Sequence, residues 1–140
     1  MRVLLDNDVV LDLVLDREPF VEAAADVFKL QEQGRIDGHV AGITLINVFY
    51  VTRKIKGIGV ARRAVGELLA ALKVCPLDHA TLENAHKLAF TDFEDAVQHA
   101  SAEASHLDAI VTRNPNDYKN AALPVFTPAD FLDHLKAQQP

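Results

Sequence analysis

The chain has 140 residues and a formal net charge of −6, a length that makes one domain, residues 1–140, with room for a substantial core. Hydrophobic residues make up 49% of it, yet no apolar run approaches the roughly 20 residues of a membrane span. A lone Cys75 excludes an intramolecular disulfide and a thiolate zinc site, and the start, MRVLLDNDVVLDL, puts aspartates where a signal peptide needs apolar residues, so a cytoplasmic protein without membrane association is expected.

Arg2-Val3-Leu4-Leu5 is a short apolar run ending at Asp6 and reads as a buried strand. Val9 to Leu15, interrupted by Asp12, is expected to form a short helix stopped before Pro19. Phe20 to Gln33 repeats apolar residues at Phe20, Ala24, Val27, Phe28 and Leu30 and meets Gly34, a helix with a glycine stop. His39-Val40-Ala41 reads as a very short strand. Thr44 is placed to cap a helix running through Leu45, Val48, Phe49 and Thr52 to Gly57, and Val60 to Leu72 makes another. Val74 to Leu77 reads as a strand and His79 to Leu88 as a helix, and Thr91-x-x-Glu94 has the spacing of a capping box for the next helix. Ala109 to Thr112 is a buried strand followed by the turn Asn114-Pro115-Asn116-Asp117. Val125 to Thr127 is the last strand, and Pro128 takes the first position of a closing helix through Leu135. Strands that are continuous apolar runs alternating with helices indicate a parallel α/β sheet covered on both faces. Ligands bind beyond the carboxyl ends of such strands, which puts the Asp6 and Asn114 segments on one rim.

Four segments near element ends carry carboxylates or carboxamides: Asp6-Asn7-Asp8, Asn47, Asp92 with Glu94-Asp95, and Asn114 with Asp117. Gathered carboxylates must be protonated, paired or bridged by a cation, and a hard divalent ion prefers such oxygens. Each also has an ordinary use. Asp6 or Asp8 can cap the helix that follows, Asp92 and Glu94 complement a helix N-terminus, Asn114 and Asp117 suit a turn, and Asn47 reads as a satisfied buried amide. Asp95, flanked by Phe93, Ala96 and Val97, is harder to account for as a cap. Asp12 and Asp16 read as solvated. His99, Glu103 and His106 share a helical face with Asp95 but match no zinc spacing and read as solvated too, and Cys75 reads as a small buried hydrophobe. Charge is segregated: acids dominate the first eighteen residues, whereas Arg53, Lys54, Lys56, Arg62 and Arg63 follow one another with no acid between them. That basic run is either a solvated face or a contact for a polyanionic backbone.

Together these segments resemble the PIN-domain family, in particular its VapC-like toxin branch. "LLDNDVVLDLVLDREP" looks like the first motif, with Asp6 matching the acid that ends strand one, and Asn7 and Asp8 standing where Thr and Asn are usual. "AGITLINVFYVTRK" looks like the second motif, with Asn47 in place of its glutamate. "DFEDAVQHASA" resembles the third, with Asp95 matching its acid and Asp92 a companion, and "IVTRNPNDYKNAALPVFTPADFL" the last, with Asn114 in the acid's place and Asp117 following. The resemblance covers nearly the whole chain and implies a three-layer α/β/α domain around a parallel sheet of about five strands. It also implies a Mg²⁺- or Mn²⁺-dependent ribonuclease, a homodimer, and inhibition by a small antitoxin protein. Residue by residue, Asp6 and Asp95 would hold the ion, Asp92 and Asp117 would complete its shell, and Asp8 would orient a ligand. Asn47 and Asn114 are neutral where the family is anionic. From charge, Arg53, Lys54 and Arg113 are candidates to steer the RNA backbone.

Two other functions compete. Asp6-Asn7-Asp8-Val9-Val10 also fits the opening of haloacid-dehalogenase-like phosphatases, with Asp6 as nucleophile and Asp8 as general acid/base. A PIN-like domain short of two acids can instead be a module that binds RNA or protein without cleaving.

Overall fold

Five short strands form one parallel sheet in the computed structural model, which describes residues 1–139. They are β1 (Arg2–Leu5), β2 (Asp37–Ala41), β3 (Lys73–Cys75), β4 (Ala109–Val111) and β5 (Val125–Phe126), in the spatial order β3-β2-β1-β4-β5. The helices are α1 (Asn7–Val14), α2 (Val21–Glu32), α3 (Gly42–Lys56), α4 (Ile58–Ala71), α5 (His79–Lys87), α6 (Phe93–Ala104) and α7 (Pro128–Ala137), with a 3-10 turn at Pro115–Tyr118. Because side chains alternate along a strand, β1 feeds two cores. Val3 and Leu5 pack with Val9, Val27, Val48, Val111 and Phe131 on one face, and Leu4 packs with Ala41, Cys75, Ala102 and Ile110 on the other. Both faces are therefore covered, giving the three-layer α/β/α arrangement. Leu4, Leu5 and Ile110 are fully buried, each contributing about 1.5–3 kcal/mol by area. No helix among the described residues is long and apolar enough to cross a membrane.

Several local expectations are corrected. α1 begins at Asn7, not Val9, because the carbonyl of the extended Asp6 already accepts the N–H groups of Val9 (3.1 Å) and Val10 (3.2 Å). Thr44 does not cap α3; the helix starts at Gly42, and Thr44 is buried inside its first turn. α6 is capped by Asp92, whose Oδ1 accepts the Asp95 N–H at 3.1 Å, so the Thr91 capping box does not form. A carboxylate in the extended cap position both accepts this bond and complements the positive helix end. Asp12 is not solvated: it is 2% exposed, with Oδ2 3.5 Å from Arg113 Nε and Oδ1 4.0 Å from Arg17 Nη1. His99 is likewise buried, and His106 lies beyond the end of α6. Gly57, with φ of 91°, turns the chain between α3 and α4, a conformation open to glycine.

Candidate functional site

β1 carries Asp6 to the carboxyl rim of the sheet, where its N–H donates to the Val111 carbonyl of β4 at 2.9 Å. Its side chain makes no cap bond to α1; it points into a polar knot. Oδ1 accepts from Gln98 Nε2 at 2.9 Å, and Oδ2 accepts from the Thr112 hydroxyl at 2.6 Å and the Tyr118 hydroxyl at 3.2 Å. Asp6 is 5% exposed, and the three donors that hold it are neutral, which satisfies a buried carboxylate without cancelling its charge.

Gln98, fully buried in α6, is the hub of this knot. Its Nε2 also donates to the Tyr118 hydroxyl at 3.2 Å, while its Oε1 accepts from the Asn7 N–H at 3.0 Å and the Thr44 hydroxyl at 3.3 Å. One carboxamide thus joins the start of α1, the first turn of α3, α6 and the 3-10 turn. Burial, then the Asp6 charge, push the Tyr118 hydroxyl far above its ordinary pKa, so it remains a donor.

Asp8 does not cap α1 either. Its carboxylate accepts from the Arg113 N–H at 3.2 Å and from Asn114 Nδ2 at 3.3 Å, clamping the segment after β4 onto α1. Burial and the Asp6 charge push its carboxyl up, against the opposing pull of the Arg113 N–H. The Arg113 guanidinium lies 4.0 Å over the Phe20 ring with Nε facing Asp12, so it is engaged within the fold.

Asp95 stands in the first turn of α6, half-buried, its carboxyl pushed up to about 7. Burial is the main cause, followed by the charges of Asp6, Asp92, Asp117 and Glu94, all of one sign. Asp6, Asp92 and Asp117 therefore each sit within electrostatic reach of Asp95. Glu94 joins them: burial raises its carboxyl, the nearby Asn47 amide opposes the rise, and Asp92 and Asp6 add to it. Asn47 lies near Glu94, and Asn114 faces Asp8. Arg53 and Lys54 are exposed in the last turns of α3.

Gln98, Thr112 and Tyr118 are site residues that the sequence reading missed, whereas Glu94 was noted among the acidic segments but not carried into the candidate ion shell. Gln98 had a usable signal: it lies three positions after Asp95, on the same helical face, in a segment otherwise rich in alanine. His99 offers no second metal site. Its Nε2 accepts the Ala122 N–H at 2.9 Å, which puts the ring proton on Nδ1, 3.1 Å from Glu103; burial lowers its pKa against the pull of Glu103.

Among the described residues no three His, Cys, Asp or Glu side chains form a group able to cage a metal. Mg²⁺ needs no such cage, since it keeps several waters and is usually held by one or two carboxylates together with substrate phosphate. The residues fit that ion. They offer oxygen donors only, and the leading charges on Asp95 are uniformly negative.

The sequence profile of the PIN domain matches residues 2–116. A search of curated proteins returns no match. Among solved structures the chain is similar to VapBC-1 from nontypeable Haemophilus influenzae, with TM-score 0.69, 13% identity, and 92% of this chain and 99% of that chain covered. A toxin-antitoxin complex from Klebsiella pneumoniae gives TM-score 0.65 and 22% identity over 90% of this chain and 97% of that one. VapC20 of Mycobacterium tuberculosis, described as a Sarcin-Ricin loop cleaving toxin, gives TM-score 0.62 and 14% identity over 77% and 86%.

Proposed function

The chain belongs to the PIN domain family, and from that premise we propose that it is a Mg²⁺- or Mn²⁺-dependent endoribonuclease of the VapC toxin type. The observation that carries this reading is the crowding around Asp95: a half-buried carboxyl raised to about 7 among four other acids, an arrangement that costs folding free energy unless a cation enters. Asp6 and Asp95 would hold the ion, with Asp92 and Asp117 supporting it. When bound, the ion supplies positive charge to the scissile phosphate and makes a water more acidic. The chain's own residues do the rest. Gln98, Thr112 and Tyr118 fix the direction of Asp6, and Asp8 holds Arg113 and Asn114 at the rim. Exposed Arg53 and Lys54 offer contacts to the RNA backbone. Glu94, near Asn47, contributes negative charge beside that neutral amide.

By extension from the toxin-antitoxin complexes it resembles, the chain would be restrained by a small antitoxin protein and would act on cytoplasmic RNA. The half-exposed Ile46 and Tyr50 on α3, at 50% and 60%, supply apolar surface for a homodimer. The family match removes the phosphatase reading.

The test is cleavage of RNA by the purified protein in Mn²⁺ or Mg²⁺. Cleavage is expected to stop with EDTA and with either Asp6→Asn or Asp95→Asn. Equal cleavage by the wild type and both variants would assign the activity to a contaminant. RNA binding without cleavage in any divalent ion would make the protein a binding module.

A further inference from the structure

A cleft of about 330 Å³ opens beside the acidic site, between the α5–α6 connection and the 3-10 turn. We propose that this cleft is a nucleobase subsite, receiving one base of a single-stranded RNA next to the scissile phosphate; the proposal rests on the ribonuclease reading and gives it a specificity element. Three observations carry it.

The first is composition. The cleft is lined by one aromatic residue, Phe90, together with Thr91, Asn116, Lys119 and Asn120. Single-stranded RNA is read by the same parts: a ring for the base face, amide and hydroxyl groups for its edge, and a cation for the adjoining phosphate. The second is construction. Asn120 Nδ2 donates to the Ala89 carbonyl at 2.8 Å and ties the two walls together. Phe90 is half-buried, packed edge-to-face on Tyr118 (5.8 Å, 78°) and tilted against His99 (5.3 Å). The third is connection to the chemistry. Asp117 lines the cleft and its charge also acts on Asp95. Tyr118, on which Phe90 rests, donates its hydroxyl to Asp6. A base seated against Phe90 is thereby held at a fixed distance from the carboxylates. The volume lies at the small end of ligand pockets, about 300–1,000 Å³, which suits one base and not a peptide segment.

The experiment maps the cut made by the wild type in Mn²⁺ on a short single-stranded RNA, then replaces each flanking nucleotide in turn with an abasic one. One position is expected to lose about tenfold in kcat/KM when its base is removed, the size of one stacking and edge contact. Asn116→Ala, on an exposed side chain, and Phe90→Leu, which keeps apolar volume but loses the ring, are expected to lose a similar factor on intact RNA. Neither should lose further on the abasic RNA. Equal losses on both RNAs, or abasic substitution without effect at every position, would overturn the subsite while leaving the ribonuclease reading in place. If the wild type cuts no RNA, that reading falls, and fluorescence anisotropy with the same two RNAs decides the subsite. Tighter binding of intact RNA that Asn116→Ala removes supports it; equal binding overturns it.

Discussion

Asp6 accepts three hydrogen bonds from side chains that carry no charge, so its orientation is set while its attraction for a cation is preserved. Tyr118 is the most informative of the three, because its hydroxyl donates to Asp6 and accepts from Gln98. Tyr118→Phe removes both contacts and little volume. Chemical denaturation is expected to read a loss of about 1–3 kcal/mol, the range for a buried hydrogen bond to a charged group. An unchanged midpoint would mean that Asp6 is held by Gln98 and Thr112 alone. At this scale the sequence was half legible. Asp6 and Asp95 stood out because a carboxylate beside buried apolar residues is costly without a partner. Thr112 did not, since its role depends on Asp6, 106 positions away; Gln98 shares the Asp95 helical face, but no local pattern encodes its contact with Asp6, 92 positions away. Asp12 was misread for the same reason: its arginine partner, Arg113, comes from the far side of β4.

The same substitution has opposite consequences at two glycines near the α3–α4 junction. Gly57 has φ of 91°, and nothing lies within 4 Å of an added Cβ. Gly57→Ala therefore meets only backbone strain, and a loss of about 1–2 kcal/mol is expected. Gly66 sits inside α4 with equally open space around it, so Gly66→Ala should gain about 0.5–1 kcal/mol from helix propensity. Urea unfolding of the two variants checks both signs, and a loss at Gly66 would mean that α4 is not helical there in solution. Strands and helices were legible because β4, β5 and the Val3–Leu5 stretch of β1 are short apolar runs and α2 repeats with helical period. Caps were not. Thr44 and Thr91 have the right chemistry, but a cap is decided by where extended backbone ends, and that happened at Ala41 and Asp92.

For the whole molecule, the crowded acids make stability depend on pH. Asp95 has a carboxyl raised to about 7, against about 3.9 for an aspartate in an unfolded chain. Between those values the folded state binds more protons than the unfolded state, so this group's contribution falls as pH rises from about 4 to 7. Asp8, Asp12 and Glu94, also raised by burial, act in the same direction. His39 and His99, lowered by burial, act oppositely below about pH 6.5. Comparing the wild type with Asp95→Asn isolates the one group. Without metal, the variant is expected to melt about 3–6 °C higher than the wild type near pH 7.5, on the usual scale of a few degrees per kcal/mol, and at the same temperature near pH 4. Adding Mg²⁺ should raise the melting temperature of the wild type more than that of the variant. Identical melting curves at both pH values would remove the crowding argument. The parallel, doubly covered sheet was legible from alternation of strand and helix, whereas the strand order was not, because β1 pairs with β2 and β4 through contacts that sequence neighbours do not reveal.

β1, the first strand made, lies at the centre of the sheet, and the groups that position Asp6 arrive last. Thr112 and Tyr118 follow Asp6 by 106 and 112 residues. During synthesis, a partly emerged chain lacks these two donors and the whole of β4. Domains assemble as units as they leave the ribosome, so the hydrogen-bonded knot around Asp6 closes only after β4 and the 3-10 turn have been made. The order of the strands along the chain thus doubles as a timer for the assembly of the acidic rim.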